Sequence, residues 1–325
     1  MKRNRLYLFI VFIAVFGLIF STSGVQAKKM QLLLGGGGTA GSWYVGSAVI
    51  SDIINKTYKD LNITPIPGGG VSNVKSLAKG RIDFGYTYHS MVFEAAKRNK
   101  PFTDNLRFED IRAVTSLMPL PLHVVVKDSS AIRSLPDVVG KRVCAGYMGS
   151  GYETAFRQML AVYGLTPKDI EAKGGKYIYA TQNDALRMMK DGLLDVMVAL
   201  AGTPASYFLE LSTAYKIRLL SFSDDIINKF FQQHPGWDVI DIPAKLYNTK
   251  GPAHVIASWS GVFSFKDIPE DVVYRFTKGV FEQRNKLIKA HGAYANYTKE
   301  NALAGLSRPL HPGAEKYWKE IGVIK

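Results

Sequence analysis

The chain has 325 residues, of which 47% are hydrophobic and 21% charged, and its formal net charge is +14. This composition excludes a disordered or low-complexity scaffold, and the length predicts about two globular domains. Cys144 is the only cysteine, which excludes an internal disulfide framework and every cysteine-based zinc site.

The first 27 residues have the pattern of a secretory signal peptide. Three basic residues precede an apolar run over residues 6–20, and the small side chains of Val25 and Ala27 suit cleavage after Ala27. An uncleaved membrane anchor is the alternative, but a spanning helix needs roughly 20 apolar residues. We therefore predict a periplasmic protein with a net charge of +11 after cleavage. Export argues against nucleic acid as a partner, and the positive charge either suits an anionic solute or serves only solubility.

Next along the chain, two strands each run into a glycine-rich turn and then a helix. A strand over residues 30–34 leads through residues 35–42 to a helix with apolar positions at helical spacing. A second strand over residues 62–66 is broken by three glycines. Ser72 is the predicted N-cap of the helix that follows, and Gly80 is its predicted end.

A later segment repeats this plan. The predicted elements are a strand over 142–145, a helix over 153–163, a strand over 177–179, a helix capped by Asn183 or Asp184 and ended by Gly192, and a strand over 196–200. After these we expect a loop over 234–252, a strand over 255–263, a helix that begins at Pro269 and a terminal helix over 314–321.

Two motifs support an internal repeat. Gly-x-x-Asp ends at Asp83 and again at Asp195, and the pair Gly41-Ser42 recurs 108 residues later as Gly149-Ser150. Two similar βαβ units so far apart predict two α/β domains with a cleft between them.

The glycine-rich turns allow several interpretations. Gly36-x-Gly38-x-x-Gly41 fits the dinucleotide-binding fingerprint, but no acidic residue follows the second strand to bind a ribose, which argues against a dehydrogenase. Backbone N–H groups at a helix start attract anions. Each turn taken alone is explained by tight-turn geometry, whereas three that converge favour a small-anion site.

Other chemistry is weakly indicated. The histidines show no metal-ligand spacing, and no Gly-x-Ser-x-Gly is present, so we expect no metal, no cofactor and no catalytic residue. We interpret Asp83 and Asp195 as turn residues and Cys144 as an inert buried thiol. Aromatic residues at strand ends and helix starts supply both core and pocket walls; they are Trp43, Tyr44, Tyr86, Tyr88, Tyr147 and Tyr152.

Four stretches of the sequence resemble one known family. They are GGGGTAGSWYVGSAV, PGGGVSNVKSLAKGRIDFG, GKRVCAGYMGSGYETA and AGTPASY. Over about residues 30–322 the chain resembles the TRAP-associated extracytoplasmic immunogenic (TAXI) family, the solute-binding proteins of tripartite ATP-independent periplasmic (TRAP) transporters.

The resemblance implies a two-lobed periplasmic-binding-protein fold of type II, with two βαβ domains joined by a hinge and a ligand cleft between them. We expect lobe I to comprise residues 28–122 plus 243–325, and lobe II residues 123–242. It also implies a small carboxylate ligand, glutamate-like or 2-oxoglutarate-like. The implied ligand-binding residues are Thr39, Gly41, Ser42, Tyr44, Ser72, Asn73, Tyr88, Ser150, Gly151, Tyr152 and Thr203.

Three positions depart from the family pattern. Tyr88 and Ser90 stand where the family usually has Gln and Asp, Tyr152 replaces a Thr, and Trp43 replaces a Tyr. The hypothesis that follows is a bulkier, more aromatic pocket that accepts a smaller or more apolar acid.

The resemblance therefore implies a receptor that closes on its solute and delivers it to a TRAP-type membrane permease, without catalysis. Two alternatives stay open, since fold does not determine function. One is a binding protein that presents the solute to a sensor kinase, and the other is an exported enzyme.

Overall fold

The computed structural model describes residues 29–38, 41–148, 150–234 and 236–325. The predicted signal peptide and its cleavage site lie outside these residues. Within them, no helix is both long enough and apolar enough to cross a bilayer.

The described residues form one sheet surrounded by helices. The strands are β1 Met30–Gly35, β2 Leu61–Ile66, β3 Phe84–Tyr88, β4 Ile111–Lys127, β5 Arg142–Cys144, β6 Lys176–Ile178, β7 Val196–Leu200, β8 Ile217–Leu219, β9 Asp238–Ile242 and β10 Ala253–Phe265. The helices are α1 Ser42–Thr57, α2 Gly70–Ala78, α3 His89–Ala96, α4 Gly151–Val162, α5 Pro167–Ala172, α6 Gln182–Lys190, α7 Ser206–Ala214, α8 Asp224–Gln233, α9 Glu270–Glu282, α10 Arg284–Ala290 and α11 Pro312–Glu320.

The predicted repeat is visible in the sheet. Strand β1 lies between β2 and β3 and is parallel to both, and β5 lies in the same way between β6 and β7. We call the segment from β1 to α3 the first repeat and the segment from β5 to α7 the second repeat. Strands β3 and β7 are buried along their whole length, as expected for parallel strands covered by helices on both faces.

Two long strands join the repeats. The strand order is β2-β1-β3-β10-β4-β7-β5-β6, with β9 beside β10 and β8 beside β4. Strand β10 is antiparallel to β3, and β4 is antiparallel both to β10 and to β7, so β4 belongs to both halves. The predicted lobe boundary after residue 122 falls inside β4, and the lobe ranges stay a prediction.

The first repeat packs against the carboxyl-terminal helices. Phe84 of β3 stacks on Phe276 of α9, with 4.1 Å between ring centroids. Ile50, Ile53 and Ile54 of α1 are fully buried at helical spacing. This core holds the amino ends of the helices at one edge of the sheet.

Both Gly-x-x-Asp motifs end a helix and tie the next segment to a neighbouring strand. Gly80 and Gly192 follow α2 and α6 with φ of +64° and +69°, a conformation that glycine adopts without strain. Asp83 Oδ2 accepts the backbone N–H of Leu33 at 2.7 Å, and Asp195 Oδ2 accepts that of Arg142 at 2.9 Å. Each carboxylate therefore links the segment after its helix to the neighbouring strand.

Two predicted helix caps are wrong. Helix α2 begins at Gly70, two residues before Ser72, and its N-cap is Gly69; the Ser72 hydroxyl donates to the Gly69 carbonyl at 3.1 Å. Helix α6 is capped by Thr181, whose Oγ1 accepts the backbone N–H of Asp184 at 3.2 Å. Asp184 is thus the third helical residue, and its carboxylate accepts a hydrogen bond from the Thr181 hydroxyl.

Three strands, β4, β8 and β9, were not predicted. The segment 234–252, expected to be a loop, contains β9, which pairs antiparallel with β10. Strand β4 contains Pro119 and Pro121, residues that normally argue against a central strand. The two prolines lie where β4 leaves β10 and begins to pair with β7, so they stand at the junction of the two halves.

Candidate ligand-binding cleft

A cavity of about 510 Å³ lies between the two repeats. Its lining residues come from the segments that follow β1, β2 and β3 and from those that follow β5, β6 and β7. In open α/β sheets, ligands bind outside the carboxyl ends of the strands, and small-molecule sites have volumes of roughly 300–1,000 Å³. The cavity fits both criteria.

Six helices begin at this cavity. Their N-cap residues are Gly41 for α1, Gly69 for α2, Tyr88 for α3, Ser150 for α4, Thr181 for α6 and Ala205 for α7. The first N–H groups of a helix have no partner within the helix, and the helix dipole places partial positive charge there. The cleft is therefore surrounded by backbone donors.

Two glycines at these helix starts make room for Tyr88. A Cβ on Gly70 would lie 2.8 Å from Cε2 of the Tyr88 ring, and a Cβ on Gly151 would lie 2.5 Å from the same atom. The ring is thus held between the first residues of α2 and α4. Since Tyr88 belongs to the first repeat and Gly151 to the second, this contact crosses the cleft.

A second contact across the cleft involves a buried carboxylate. Glu94 of α3 is 5% exposed, and its Oε1 accepts from Gln158 Nε2 of α4 and from His234 Nδ1 after α8, both at 3.1 Å. Its Oε2 accepts from Asn99 Nδ2 at 2.6 Å. These bonds connect the first repeat to helices that pack against the second.

Aromatic side chains form much of the cavity wall. They are Trp43, Tyr88, Tyr147, Tyr152 and Tyr207. Ring centroids of Trp43 and Tyr88 are 4.7 Å apart, and those of Tyr147 and Tyr152 are 5.7 Å apart in an edge-to-face arrangement. Burial raises the pKa of the Tyr88, Tyr152 and Tyr207 hydroxyls, so these side chains are neutral.

The polar groups of the lining are also uncharged. His291 Nδ1 accepts the backbone N–H of Ala293 at 3.1 Å, and burial lowers the pKa of the ring. The neutral ring then has its proton on Nε2. Gln182 Nε2 donates to the Val198 carbonyl at 3.2 Å, and its buried Oε1 has no hydrogen-bond partner among the described residues.

No lysine, arginine, aspartate or glutamate lines the cavity in the described part of the chain. The residues without a described structure that adjoin it in sequence are Thr39, Ala40 and Gly149, which are uncharged. Any anion in this cleft would therefore be held by backbone and neutral side-chain donors, without a cationic side chain.

Half of the described residues predicted to bind ligand line this cavity, and half do not. Gly41, Ser42, Tyr88, Gly151 and Tyr152 line it, whereas Tyr44, Ser72, Asn73, Ser150 and Thr203 do not. Thr39 lies outside the described residues.

The structure shows what some of the non-lining residues do instead. Asn73 is buried, and its Nδ2 donates to the carbonyls of Gly36 and Tyr86 at 2.8 and 2.7 Å, which ties the glycine-rich turn to β3. The Ser150 hydroxyl accepts the backbone N–H of Glu153 at 3.3 Å as the cap of α4. In the structure both groups therefore make internal hydrogen bonds, and ligand binding by Asn73 and Ser150 stays a prediction.

Several lining residues were not predicted to bind ligand, and three of them could have been found from the repeat. Thr181 and Gln182 lie 112 residues after Gly69 and Gly70, the same offset that relates Asp83 to Asp195. Leu200 stands at the same offset from Tyr88. Tyr207 ends the stretch AGTPASY but has no counterpart in the first repeat, and His291 comes from the distant carboxyl-terminal segment.

The remaining expected features concern metal and thiol chemistry. No group of three or more His, Cys, Asp or Glu side chains among the described residues is arranged to hold a metal ion. His89, a histidine close to Tyr88, is fully buried, and its Nε2 lies 2.9 Å from the Ser116 hydroxyl. Cys144 is buried, and burial raises the pKa of its thiol.

Comparison with known proteins identifies the family. The sequence matches the NMT1-like family over residues 34–322. The chain belongs to the NMT1-like family. The match includes both repeats and the carboxyl-terminal helices, so the family assignment applies to nearly all of the described chain.

Solved structures show the same fold at low sequence identity. A protein of Bordetella bronchiseptica RB50 has a TM-score of 0.51 at 15% identity, over 91% of this chain and 90% of that one. A chain from the work on glutathione import through GshT and the cystine importer TcyBC of Streptococcus mutans has a TM-score of 0.50 at 13% identity, over 82% and 95%. The aliphatic sulphonate binding protein SsuA of Escherichia coli has 0.49 at 17%, over 92% and 95%. The predicted α/β periplasmic-binding-protein fold is confirmed.

Proposed function

We propose that this protein is a periplasmic receptor that captures a small carboxylate in the cleft and delivers it to a TRAP-type membrane permease. The observation that supports capture is the convergence of six helix starts on one cavity whose described lining residues include no charged side chain. The TRAP permease as partner, and a glutamate-like or 2-oxoglutarate-like solute, rest on the TAXI resemblance of the sequence.

The electrostatics of the cleft favour an anion. A helix start has the equivalent of roughly half a positive charge, and its N–H groups point outward toward a bound group. Hydrogen bonds to a charged acceptor are roughly twice as strong as those between neutral groups. A carboxylate that leaves water for this cavity therefore exchanges its hydration for oriented backbone donors.

Contacts across the cleft would stabilise a conformation in which the two halves close on the solute. Tyr88 against Gly151 and Glu94 with Gln158 and His234 join the two halves in the conformation described here. A solute that contacts both halves would shift the population toward this closed arrangement. Small-angle scattering with and without solute would measure it as a decrease in the radius of gyration.

Thermal unfolding against a panel of solutes tests capture. The protein, without its signal peptide, is refolded to remove carried-over ligand and heated with amino acids and organic acids. A ligand at 100 times its dissociation constant adds about 2.7 kcal/mol to the free energy of unfolding, so Tm rises by a few degrees. No shift with any anion, from a protein shown by circular dichroism to be folded, would exclude the carboxylate receptor.

A matched pair of glycine variants localises the site. Gly70→Ala introduces a methyl group 2.8 Å from the Tyr88 ring, whereas a methyl group on Gly251 would meet no atom within 4 Å. We expect Gly70→Ala to weaken binding at least tenfold and Gly251→Ala to leave it unchanged. Equal affinities in the two variants would place the solute elsewhere.

The permease as partner needs a separate test. Proteoliposomes with the candidate TRAP permease should take up labelled solute only when this protein is present. Binding without such uptake, together with solute-dependent activation of a sensor kinase, would favour the signalling alternative.

A further inference from the structure

We propose that the solute is an aromatic or similarly flat monocarboxylate that has no ammonium group. The inference rests on the proposed capture of a carboxylate, and it replaces the glutamate-like or 2-oxoglutarate-like solute with a different ligand class. It depends on three properties of the cavity: the absence of charged side chains, the distribution of capped and uncapped helix starts, and the aromatic walls.

The first property argues against amino acids. A buried ammonium group is tolerated when a carboxylate pairs with it, and the described lining contains no aspartate or glutamate. The polar side chains that line it are Ser42, Thr181, Gln182, Asn183, Ser206 and His291. The polar atoms of these side chains are uncharged and offer an ammonium group only dipoles. The surrounding helix starts are electropositive and repel it.

The same property argues against a second carboxylate. Two buried negative charges need cationic partners, and the described residues of the lining include no lysine or arginine. His291 is neutral because Nδ1 accepts the N–H of Ala293 and burial lowers its pKa. One negative charge spread over several backbone N–H groups is what this site can neutralise.

The second property favours the first repeat as the position of the carboxylate. Helices α1, α2 and α3 all begin without a side-chain cap, so no side chain accepts their first N–H groups. In the second repeat, the hydroxyls of Ser150 and Thr181 already accept one N–H each from α4 and α6, and α7 is the one described helix start at the cavity there without a side-chain cap. Ser42, the first residue of α1, lines the cavity on the uncapped side.

The third property describes the rest of the ligand. Five aromatic rings and the side chains of Leu120 and Leu200 present flat, apolar surfaces to the cavity. Aromatic rings pack best against other rings, in offset or edge-to-face arrangements. A flat hydrocarbon body attached to one carboxylate matches these walls.

Matched ligands test the class. Isothermal titration would compare 3-phenylpropionate with phenylalanine, which adds an ammonium group to the same skeleton, and with 3-phenylpropanamide, which removes the charge. Benzoate and indole-3-acetate extend the comparison to other ring sizes. We expect at least one of the three aromatic acids to bind 100-fold more tightly than phenylalanine, glutamate or 2-oxoglutarate, and the amide to bind at least tenfold more weakly than 3-phenylpropionate.

The outcomes separate this inference from the proposed function. Equal or tighter binding of glutamate, phenylalanine or 2-oxoglutarate would overturn the inference and leave the carboxylate receptor intact. Tight binding of an aliphatic acid with none of the aromatic acids would overturn it as well. No binding of any acid would overturn both.

A charge placed at the proposed carboxylate position gives an independent test. Ser42→Asp adds a negative charge at a position where a helix tolerates it, and Ser42→Asn adds a side chain of the same size without charge. For the tightest aromatic acid, we expect the Asp variant to bind at least 30-fold more weakly than the Asn variant. For 3-phenylpropanamide the two variants should differ less than threefold. Equal affinities of the acid for both variants would place its carboxylate away from α1 and overturn the assignment.

Discussion

The first and second repeats share a strand order but begin their helices differently. They also share what we call the aspartate tether, the hydrogen bond from a backbone N–H of the neighbouring strand to Asp83 or Asp195. In the first repeat, Gly41 and Gly69 precede α1 and α2, and neither helix has a side-chain cap. In the second, Ser150 and Thr181 cap α4 and α6 with their hydroxyls. Helix α7 of the second repeat also begins without a side-chain cap. Uncapped starts leave N–H groups available to a ligand, while capped starts stabilise the helix itself.

The aspartate tether also differs between the repeats. Asp83 accepts a backbone N–H from β1. Asp195 accepts the corresponding kind of bond from Arg142 and in addition pairs with its guanidinium, through Nε at 2.9 Å and Nη2 at 2.6 Å. We therefore expect the second repeat to depend more on its tether than the first.

The largest expected difference concerns the turns after β1 and β5. Gly146 lies 108 residues after Gly38, has a φ of +102°, and a Cβ on it would lie 1.7 Å from Cε2 of Tyr152. We expect Gly146→Ala to lower the free energy of unfolding by about 3 kcal/mol, from backbone strain and overpacking. Gly38→Ala, whose Cβ would have no atom of the described residues within 4 Å, should change it by less than about 0.5 kcal/mol. Urea unfolding of both variants measures the contrast, and similar losses would refute it.

The next largest change in the free energy of unfolding is expected when the two aspartate tethers are removed. Asp195→Ala removes hydrogen bonds to a charged partner and should cost about 2–3 kcal/mol, whereas Asp83→Ala, which loses one backbone bond, should cost about 1–2 kcal/mol. Urea unfolding at pH 7 provides the comparison. The reverse order would show that the Arg142 pair adds nothing to the tether.

The Asp195 contribution should depend on pH in a defined direction. Its hydrogen bond with the Arg142 side chain lowers the pKa of the Asp195 carboxyl in the folded state, while an unfolded aspartate titrates near about 3.9. The stabilisation is therefore present above about pH 4 and is lost as the pH falls through the lower folded pKa. The difference in unfolding free energy between wild type and Asp195→Ala should shrink between about pH 4 and pH 2. A constant difference over that range would contradict the role of the carboxylate charge.

The smallest effects are expected at the helix caps. Ser150→Ala and Thr181→Ala should each cost about 1 kcal/mol, because each hydroxyl accepts a helix N–H that would otherwise lack a partner. Ser72→Ala in the first repeat should cost less than about 0.5 kcal/mol, since its exposed hydroxyl donates to a carbonyl and caps nothing. Thermal unfolding resolves these differences, and a Ser72 effect as large as the others would mean that the first repeat also relies on a side-chain cap.

The sequence by itself determined the repeated strand-turn-helix plan and the carboxyl ends of α2 and α6. Gly80 and Gly192 end helices because a left-handed residue is needed there, a requirement that acts over a few residues and is therefore readable in the sequence. The strand Val196–Leu200 was also predicted from a local pattern, since buried parallel strands are apolar throughout. The anion preference of the glycine-rich helix starts likewise follows from backbone chemistry.

Only the tertiary structure decided which residues face the cleft. Asn73 and Ser150 look like ligand donors in the sequence, but the fold uses their hydrogen bonds beneath the cavity. Tyr207 and His291 enter the lining because helix α7 and the carboxyl-terminal segment are brought beside the first repeat. These contacts join residues that are far apart in sequence and depend on how the two halves pack across β4 and β10, which no local pattern records.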